Sequence, residues 1–420
     1  MRPRSHLALL ALFAVVSALP LASGAAVFDE GYTNTTFHKG TYTDLFALEE
    51  TADHGLLVGG LAYGGGTTNA LLMRLDAGRN EVWTRSFEGD SVADIAPAPG
   101  GDWYTGVYTA SFTYASSGGM DDPTGNATLM RIDPDGSIVW QTRIPEARIA
   151  AIEPGPSGDA LVTGWTWGAG TNTTAFLSRF DSSGNEVWTR TLRSGAAHDL
   201  VVDEDGACTI AGAHSPLTGG ETGGWVVVTD PQGEIVRQTG YSDRSAFTLV
   251  PLSGGDMLVG GSTAPYHSFM GRAWVARQDA AGSIEWSTLL GGVAVYDGVA
   301  VDGEYVFVGK WGDFPQMQIL DEDGNILGET IFEGLDGRLN VVEADGEGGF
   351  TAAGWSRVLG QVDGWLMDTG EAGTPIPTIP PTTSLPTQTS APTTPASPGF
   401  SLWAAGIAVA GIALLLCRTR

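Results

Sequence analysis

Carboxylates are the groups in this 420-residue chain best able to do chemistry: 48 Asp and Glu stand against 21 Lys and Arg, for a formal net charge of −27. Three stretches concentrate them before a glycine: Asp133-Pro134-Asp135-Gly136, Asp203-Glu204-Asp205-Gly206 and Asp321-Glu322-Asp323-Gly324. Alternating carboxylates of this kind could enter a calcium site, which needs further oxygens beyond the glycine, including a bidentate carboxylate. None of the three has that spacing. They read first as hairpin turns, in which Asp bonds its own backbone and Gly takes positive φ freely. Calcium stays open as a ligand; no other cofactor is expected. The histidines after the first 25 residues (His38, His54, His198, His214 and His267) stand at no ligand spacing, and no Ser, Cys or His set marks a nucleophile. Cys208, in the run A-C-T-I-A-G, reads as a buried small residue. The only other cysteine, Cys417, lies in an apolar tail, so neither a disulfide framework nor a cysteine metal site can form. Lysine occurs only at Lys39 and Lys310. So acidic a chain repels phosphate backbones and anionic headgroups, which excludes a nucleic-acid partner. Its acidity fits either solubility in a salty or crowded exterior or cation binding.

The elements that must position these groups are repeats. The phrase L-S-R-F-D-S-S-G-N-E-V-W at 177–188 recurs in outline, its aspartate standing at Asp76, Asp133, Asp181, Asp230, Asp279, Asp321 and Asp368. The period is near 48 residues, the signature of a repeat architecture. A tryptophan follows seven positions on at Trp83, Trp140, Trp188 and Trp286; Arg237 and Gly328 replace it in two copies. Before each aspartate an apolar run ends in glycine at Gly60, Gly106, Gly164, Gly212, Gly261 and Gly354, with Lys310 standing in once. Turns such as Pro99-Gly100-Gly101-Asp102 and Ser253-Gly254-Gly255-Asp256 lie upstream. Four short strands per unit, with Gly and Asp at the turns, predict an all-β fold, a seven-bladed β-propeller. The seventh unit stops after Asp368, one strand short. The segment Val27 to Phe37 is expected to supply that strand and close the ring, because an open propeller leaves unpaired sheet edges.

On the G-x-x-x-W outer strand, as in Gly136 to Trp140, and the apolar run into aspartate, residues 27–370 resemble quinoprotein-like (PQQ-like) propellers and secreted seven-bladed propeller proteins. The resemblance implies the fold. The vicinal cysteine pair that many of those enzymes carry is absent, and the aspartate-to-glycine turn is one residue shorter here, so the resemblance does not carry their dehydrogenase activity. The S-x-D-x-G-x-x-W box of sialidase-type propellers fails by one residue on each side of the glycine.

Both ends read as addresses. Residues 1–25 run from Arg2, Arg4 and His6 through an apolar stretch to Ser23-Gly24-Ala25, the order of a secretory signal peptide. Residues 26–370 form the propeller. Residues 371–397 collapse to Pro and Thr, a composition that favours an extended stalk of about 3.1 Å per residue. Residues 398–420 hold Pro398-Gly399-Phe400, an apolar run from Ser401 to Cys417 and the basic tail Arg418-Thr419-Arg420. That order resembles the PGF-type C-terminal sorting signal of archaeal surface proteins, and the resemblance implies processing by an archaeosortase-type enzyme and lipid attachment. A plain C-terminal transmembrane helix is the other reading, with the arginines on the cytoplasmic side. Either places the body outside the cell, anchored in the cell membrane.

Binding is expected on the loops between second and third strands, since variable loops on a rigid scaffold carry function. The longest runs from Thr109 to Ala127. Tyr114, Trp167, Tyr266 and Phe314 are candidate binding-face aromatics; Trp165, Trp311 and Trp355, next to the glycine column, could instead wedge between blades. The sequons Asn34, Asn126 and Asn172 are glycosylation candidates in an exported chain, the last two assigned to variable loops. The sequence thus predicts a cell-surface-anchored, non-catalytic propeller that binds a glycan or protein or interacts with the envelope. An extracellular polysaccharide hydrolase or lyase with a carboxylate site in the funnel is the alternative, and a purely structural envelope component is the third reading.

Overall fold

The computed structural model describes residues 32–111, 124–167, 173–214, 223–263, 271–346, 348–358 and 360–369. All belong to one compact unit, Met1–Thr378; the other, Ile379–Arg420, lies outside the described residues. So do the expected signal peptide (residues 1–25), the Pro/Thr segment and the expected sorting signal at Pro398-Gly399-Phe400 with its apolar run. Among the described residues no helix is long and apolar enough to cross a membrane.

The described chain is all-β, with 28 strands. After β1 (Thr33–Phe37), the first sheet contains β2 (Tyr42–Glu50), β3 (Leu56–Gly64), β4 (Thr67–Leu75) and β5 (Glu81–Phe87). The second has β6 (Ser91–Pro97), β7 (Trp103–Ser111), β8 (Thr124–Ile132) and β9 (Ile138–Ile144). The third has β10 (Ala147–Pro154), β11 (Ala160–Trp167), β12 (Thr173–Phe180) and β13 (Glu186–Ser194). The fourth has β14 (Ala196–Val202), β15 (Cys208–Ala213), β16 (Gly223–Thr229) and β17 (Ile235–Ser242). The fifth has β18 (Ser245–Pro251), β19 (Met257–Ser262), β20 (Ala273–Gln278) and β21 (Ile284–Leu289). The sixth has β22 (Ala294–Val301), β23 (Glu304–Trp311), β24 (Phe314–Leu320) and β25 (Ile326–Ile331). Last come β26 (Asp336–Ala344), β27 (Phe350–Val358) and β28 (Gln361–Asp368), and β1 pairs antiparallel with β28 from Thr33↔Asp368 to Phe37↔Gly364. Strands in each sheet pair antiparallel in chain order, and the 28 strands fit seven blades. A single parallel bridge, Tyr42↔Val362, joins the last group to the first.

The first strands of successive sheets pack on one another, and β26 returns to β2. Apolar side chains between neighbouring sheets form separate clusters, such as Leu161, Leu177, Leu200, Ile210 and Trp225 between the third and fourth. The alternation of each first strand is broken once by a β-bulge: between Leu45 and Ala47, Val92 and Asp94, Ile149 and Ala151, Ala197 and Asp199, Ala246 and Thr248, Val295 and Asp297, and Leu339 and Val341. The partner opposite the start of the bulge is Gly60, Val107, Gly164, Gly212, Gly261, Gly309 or Gly354. A Cβ at Gly60, Gly164, Gly261, Gly309 or Gly354 would collide with the carbonyl oxygen of the residue before the bulge, so the column is glycine by close approach of backbone.

That register corrects two readings. Gly309, not Lys310, holds the column in the sixth sheet, and in the second the column residue is Val107, with Gly106 one step earlier. Trp311 therefore stands one place beyond Trp165 and Trp355. It pairs with Phe314 at the hairpin end and is 40% exposed, whereas Trp165 is 8% exposed and does wedge between sheets.

Candidate functional site

A bulge inserts one unpaired residue and re-aims those around it. Here it turns the residues at its centre inward, where the first strands meet. Asp94, Asp199 and Asp297 occupy the same place, directly after the bulge, in the second, fourth and sixth sheets. Each accepts a main-chain N–H from the next sheet: Ile152 to Asp94 Oδ2 at 2.6 Å, Leu249 to Asp199 Oδ2 at 2.6 Å, and Val342 to Asp297 Oδ2 at 2.9 Å. A second N–H comes from their own strand, Leu200 to Asp199 at 2.7 Å and Gly298 to Asp297 at 2.8 Å. The Thr248 hydroxyl donates to Asp297 Oδ1 at 3.0 Å.

These carboxylates keep part of their surface accessible, yet they lie deep among protein atoms. Loss of solvation dominates their titration. It raises Asp94 well above the usual range, and pushes Asp199 and Asp297 up to about 7. Mutual repulsion between Asp199 and Asp297 adds to the rise of Asp297. The hydrogen bonds from the backbone work against it.

Asp44 differs: it precedes the bulge of β2 and is buried. It accepts Arg338 Nη2 at 2.8 Å and Asn340 Nδ2 at 2.7 Å from the last sheet, and Tyr42 Oη at 3.2 Å. Desolvation raises its pKa, and the arginine opposes the rise.

A row of aromatic rings lies toward the sheet ends that carry the loops between second and third strands. Tyr108 and Trp167 are 5.8 Å apart, Trp167 and Trp165 6.3 Å, Trp165 and His198 5.9 Å, and His198 and Phe247 5.1 Å. Arg148 stands over Tyr108 at 5.0 Å and over Trp165 at 5.3 Å. Tyr108 and Trp165 are buried, whereas Trp167, Phe247 and Arg148 are half-buried, so solvent reaches the row at those three side chains. Aromatic platforms of this kind suit a sugar ring or an apolar side chain.

Of the candidate aromatics, Trp167 joins this row. Phe314 does not: it is half-buried beside Trp311 in the sixth sheet. Tyr114 and Tyr266 lie outside the described residues. The loop read from Thr109 to Ala127 is shorter than expected, because β7 runs to Ser111 and β8 starts at Thr124. Asn126 is therefore a strand residue opposite Thr109, its Oδ1 accepting the Glu146 N–H at 3.3 Å. Asn34 lies in β1, and its Oδ1 accepts the Trp365 indole N–H at 3.0 Å. Asn172 lies outside the described residues.

The acidic turns are tied internally. Asp133 Oδ1 accepts the N–H groups of Asp135 and Ser137 at 3.0 and 2.8 Å, and Asp203 and Asp321 repeat the pattern. Among the described residues no three His, Cys, Asp or Glu side chains are grouped to hold a metal. Cys208 is buried, and burial pushes its thiol up to about 12. The sequence reading missed the inward carboxylates and Arg148. The one signal of the carboxylates was an aspartate about a dozen residues before the column position in alternate units, which only the bulge register reveals.

No family model matches the chain, and no curated protein matches it. Among solved structures it is similar to the WD40 β-propeller domain of Doa1, with a TM-score of 0.54 and 11% identity over 80% of this chain and 97% of that one. It is also similar to Saccharomyces cerevisiae Sqt1, with a TM-score of 0.50 and 11% identity over 79% and 97%. At that identity the likeness shows the β-propeller fold.

Proposed function

We propose that the chain is an exported, non-catalytic β-propeller, anchored at the cell surface, that binds a glycan or protein ligand on the face bearing the loops between second and third strands. The observation that carries this reading is the row Tyr108–Trp167–Trp165–His198–Phe247 with Arg148 upon it. A closed seven-bladed ring, completed by β1, supplies the rigid scaffold; the return of β26 to β2 and the pairing of β1 with β28 support it. The charged, apolar and small-residue order of residues 1–25 supports export. The Pro/Thr stalk and the Pro398-Gly399-Phe400 tail support surface display after processing by an archaeosortase-type enzyme. The three inward aspartates support a structural role for the centre, since each is spent on main-chain N–H groups of the neighbouring sheet.

The test is a screen of glycans and envelope proteins against the full chain in detergent. Trp167→Ala is expected to weaken the ligand found at least tenfold, with melting unchanged by a calcium chelator. Unaltered affinity would move the site elsewhere. One observation favours a second reading, a polysaccharide hydrolase or lyase: carboxyls raised to about 7 can serve as general acids. Turnover of a polysaccharide that vanishes in Asp297→Asn would establish it.

A further inference from the structure

The repeat contains its own account of what an arginine at this place recognises. Arg148 and Arg338 are equivalent: each directly precedes the bulge of its first strand and pairs in register with a tryptophan, Trp165 or Trp355. Each guanidinium lies over aromatic rings, Arg148 over Tyr108 and Trp165, Arg338 over Phe46 and Tyr296 at 5.7 and 6.0 Å. The two differ in what the next sheet offers. Arg338 meets Asp44, the residue before the bulge of β2, at 2.8 Å. At the junction of the third and fourth sheets the residue before the bulge of β14 is Ala196. Asn340, which also holds Asp44, has Ala150 as its counterpart beside Arg148. A methyl group thus stands where the carboxylate stands in the other junction. Among the described residues the Arg148 guanidinium has no hydrogen bond or ion pair, only its two rings.

We propose that Arg148 receives the carboxylate of an acidic sugar residue, such as a uronic acid in a polysaccharide, with the ring of that sugar against the half-buried Trp167. This rests on the reading of that face as the binding face. A guanidinium held over two rings is restrained before a carboxylate arrives, so little side-chain freedom is lost in forming a two-point bond to it. Its charge is the complement of a carboxylate, and no carboxylate of the chain bonds it among the described residues. A sugar fits better than an acidic peptide because its carboxylate is fixed to a rigid ring, whose C–H face can lie on the Trp167 indole. A Glu or Asp side chain would have to be ordered at an entropic cost.

The experiment titrates the full chain in detergent with oligogalacturonate, its methyl ester, a neutral galactose oligomer and poly-glutamate. Oligogalacturonate is expected to bind and its ester to lose at least tenfold in affinity, with binding weakened by salt. Arg148→Gln should lose at least tenfold, and Ala196→Asp, which supplies the internal carboxylate of the other junction, should abolish binding while leaving every ring in place. A circular dichroism melt of both variants confirms folding. Equal affinity for acid and ester, or unchanged affinity in Ala196→Asp, overturns carboxylate recognition while the binding face stands. Tighter binding of poly-glutamate than of oligogalacturonate overturns the sugar in favour of an acidic peptide. Failure of every oligomer overturns the proposal, and the broader screen with Trp167→Ala then decides separately whether the face binds at all.

Discussion

Asp199 and Asp297 invert the usual role of an aspartate in acid stability. A salt-bridged carboxylate has a lowered pKa and costs stability when it is protonated. These two are raised to about 7, first by desolvation, above the ordinary value of 3.8. Between about pH 4 and pH 7 the folded protein therefore holds protons that the unfolded chain has released. The linkage then makes stability fall as pH rises through that window and level off above it. The net charge of −27 pushes the same way through self-repulsion, so the slope alone does not isolate them. Asp297→Asn does. Its melting temperature should change less between pH 4.5 and 7.5 than that of the unmodified chain, by a few degrees. Equal slopes in thermal melts would show that Asp297 is ionised throughout. These carboxylates were invisible in the sequence because their surroundings come from three sheets: Asp297 is bonded by Thr248 of the fifth and Val342 of the seventh group. The turn aspartates were legible because their partners lie two and four residues away.

At the scale of the strand, the recurring tryptophan turns out to join neighbouring blades. Trp83, Trp140 and Trp286 donate their indole N–H to Pro134, Ser182 and Glu322, each in the third-to-fourth-strand turn of the next sheet, at 3.0, 2.9 and 3.1 Å. Trp140, Trp188 and Trp286 cover the turn glycines Gly184, Gly233 and Gly324, where a Cβ would meet the indole. Arg237, the replacement in the fourth unit, reaches Gly282 in the same way. The sixth unit has Gly328 because the seventh has no such turn to receive a ring: β28 ends at Asp368, and its outer partner β1 comes from the other end of the chain. The spacing of the tryptophan could be read from the sequence, and so could its loss at the sixth copy. Its partner could not, because it lies in the following repeat. Trp140→Ala removes ring packing and one hydrogen bond at a half-buried site, and should destabilise by about 2–3 kcal/mol, below the range for fully buried tryptophan. Chemical denaturation measures it, and a loss under 0.5 kcal/mol would mean that the contact is incidental. The same reasoning explains why the glycine column was misplaced in two units. Apolar runs are legible, but a one-residue bulge shifts register without changing composition.

For the whole molecule, the decisive element is the shortest strand. β1 contributes Thr33–Phe37 to the edge of β28 and brings Phe37 into the core of the first sheet with Leu45, Val58 and Leu366. Asn34 completes the indole of Trp365, itself packed edge-on against Phe332 at 5.2 Å. Nearby, Arg79 of the first sheet holds Asp368 at 2.6 Å, where other junctions use a tryptophan. Sequence arithmetic could point to this strand, since the seventh unit lacked one and the first was preceded by one. If β1 closes the ring, removing residues 26–37 with residues 1–25 left intact exposes the β28 edge and opens a hole beside Leu366. An unpaired edge next to apolar surface invites association with other chains. The shortened protein should melt at least 10 °C lower, lose its single cooperative transition, and elute as oligomers in size-exclusion chromatography. Removing residues 371–397, whose Pro/Thr composition cannot build a core, takes away as much chain again and more, and should leave the melt as it was. Were the chain without β1 to unfold in the same single transition as the intact one, the ring would owe its closure to the contact between β2 and β26, and β1 would be an accessory to it.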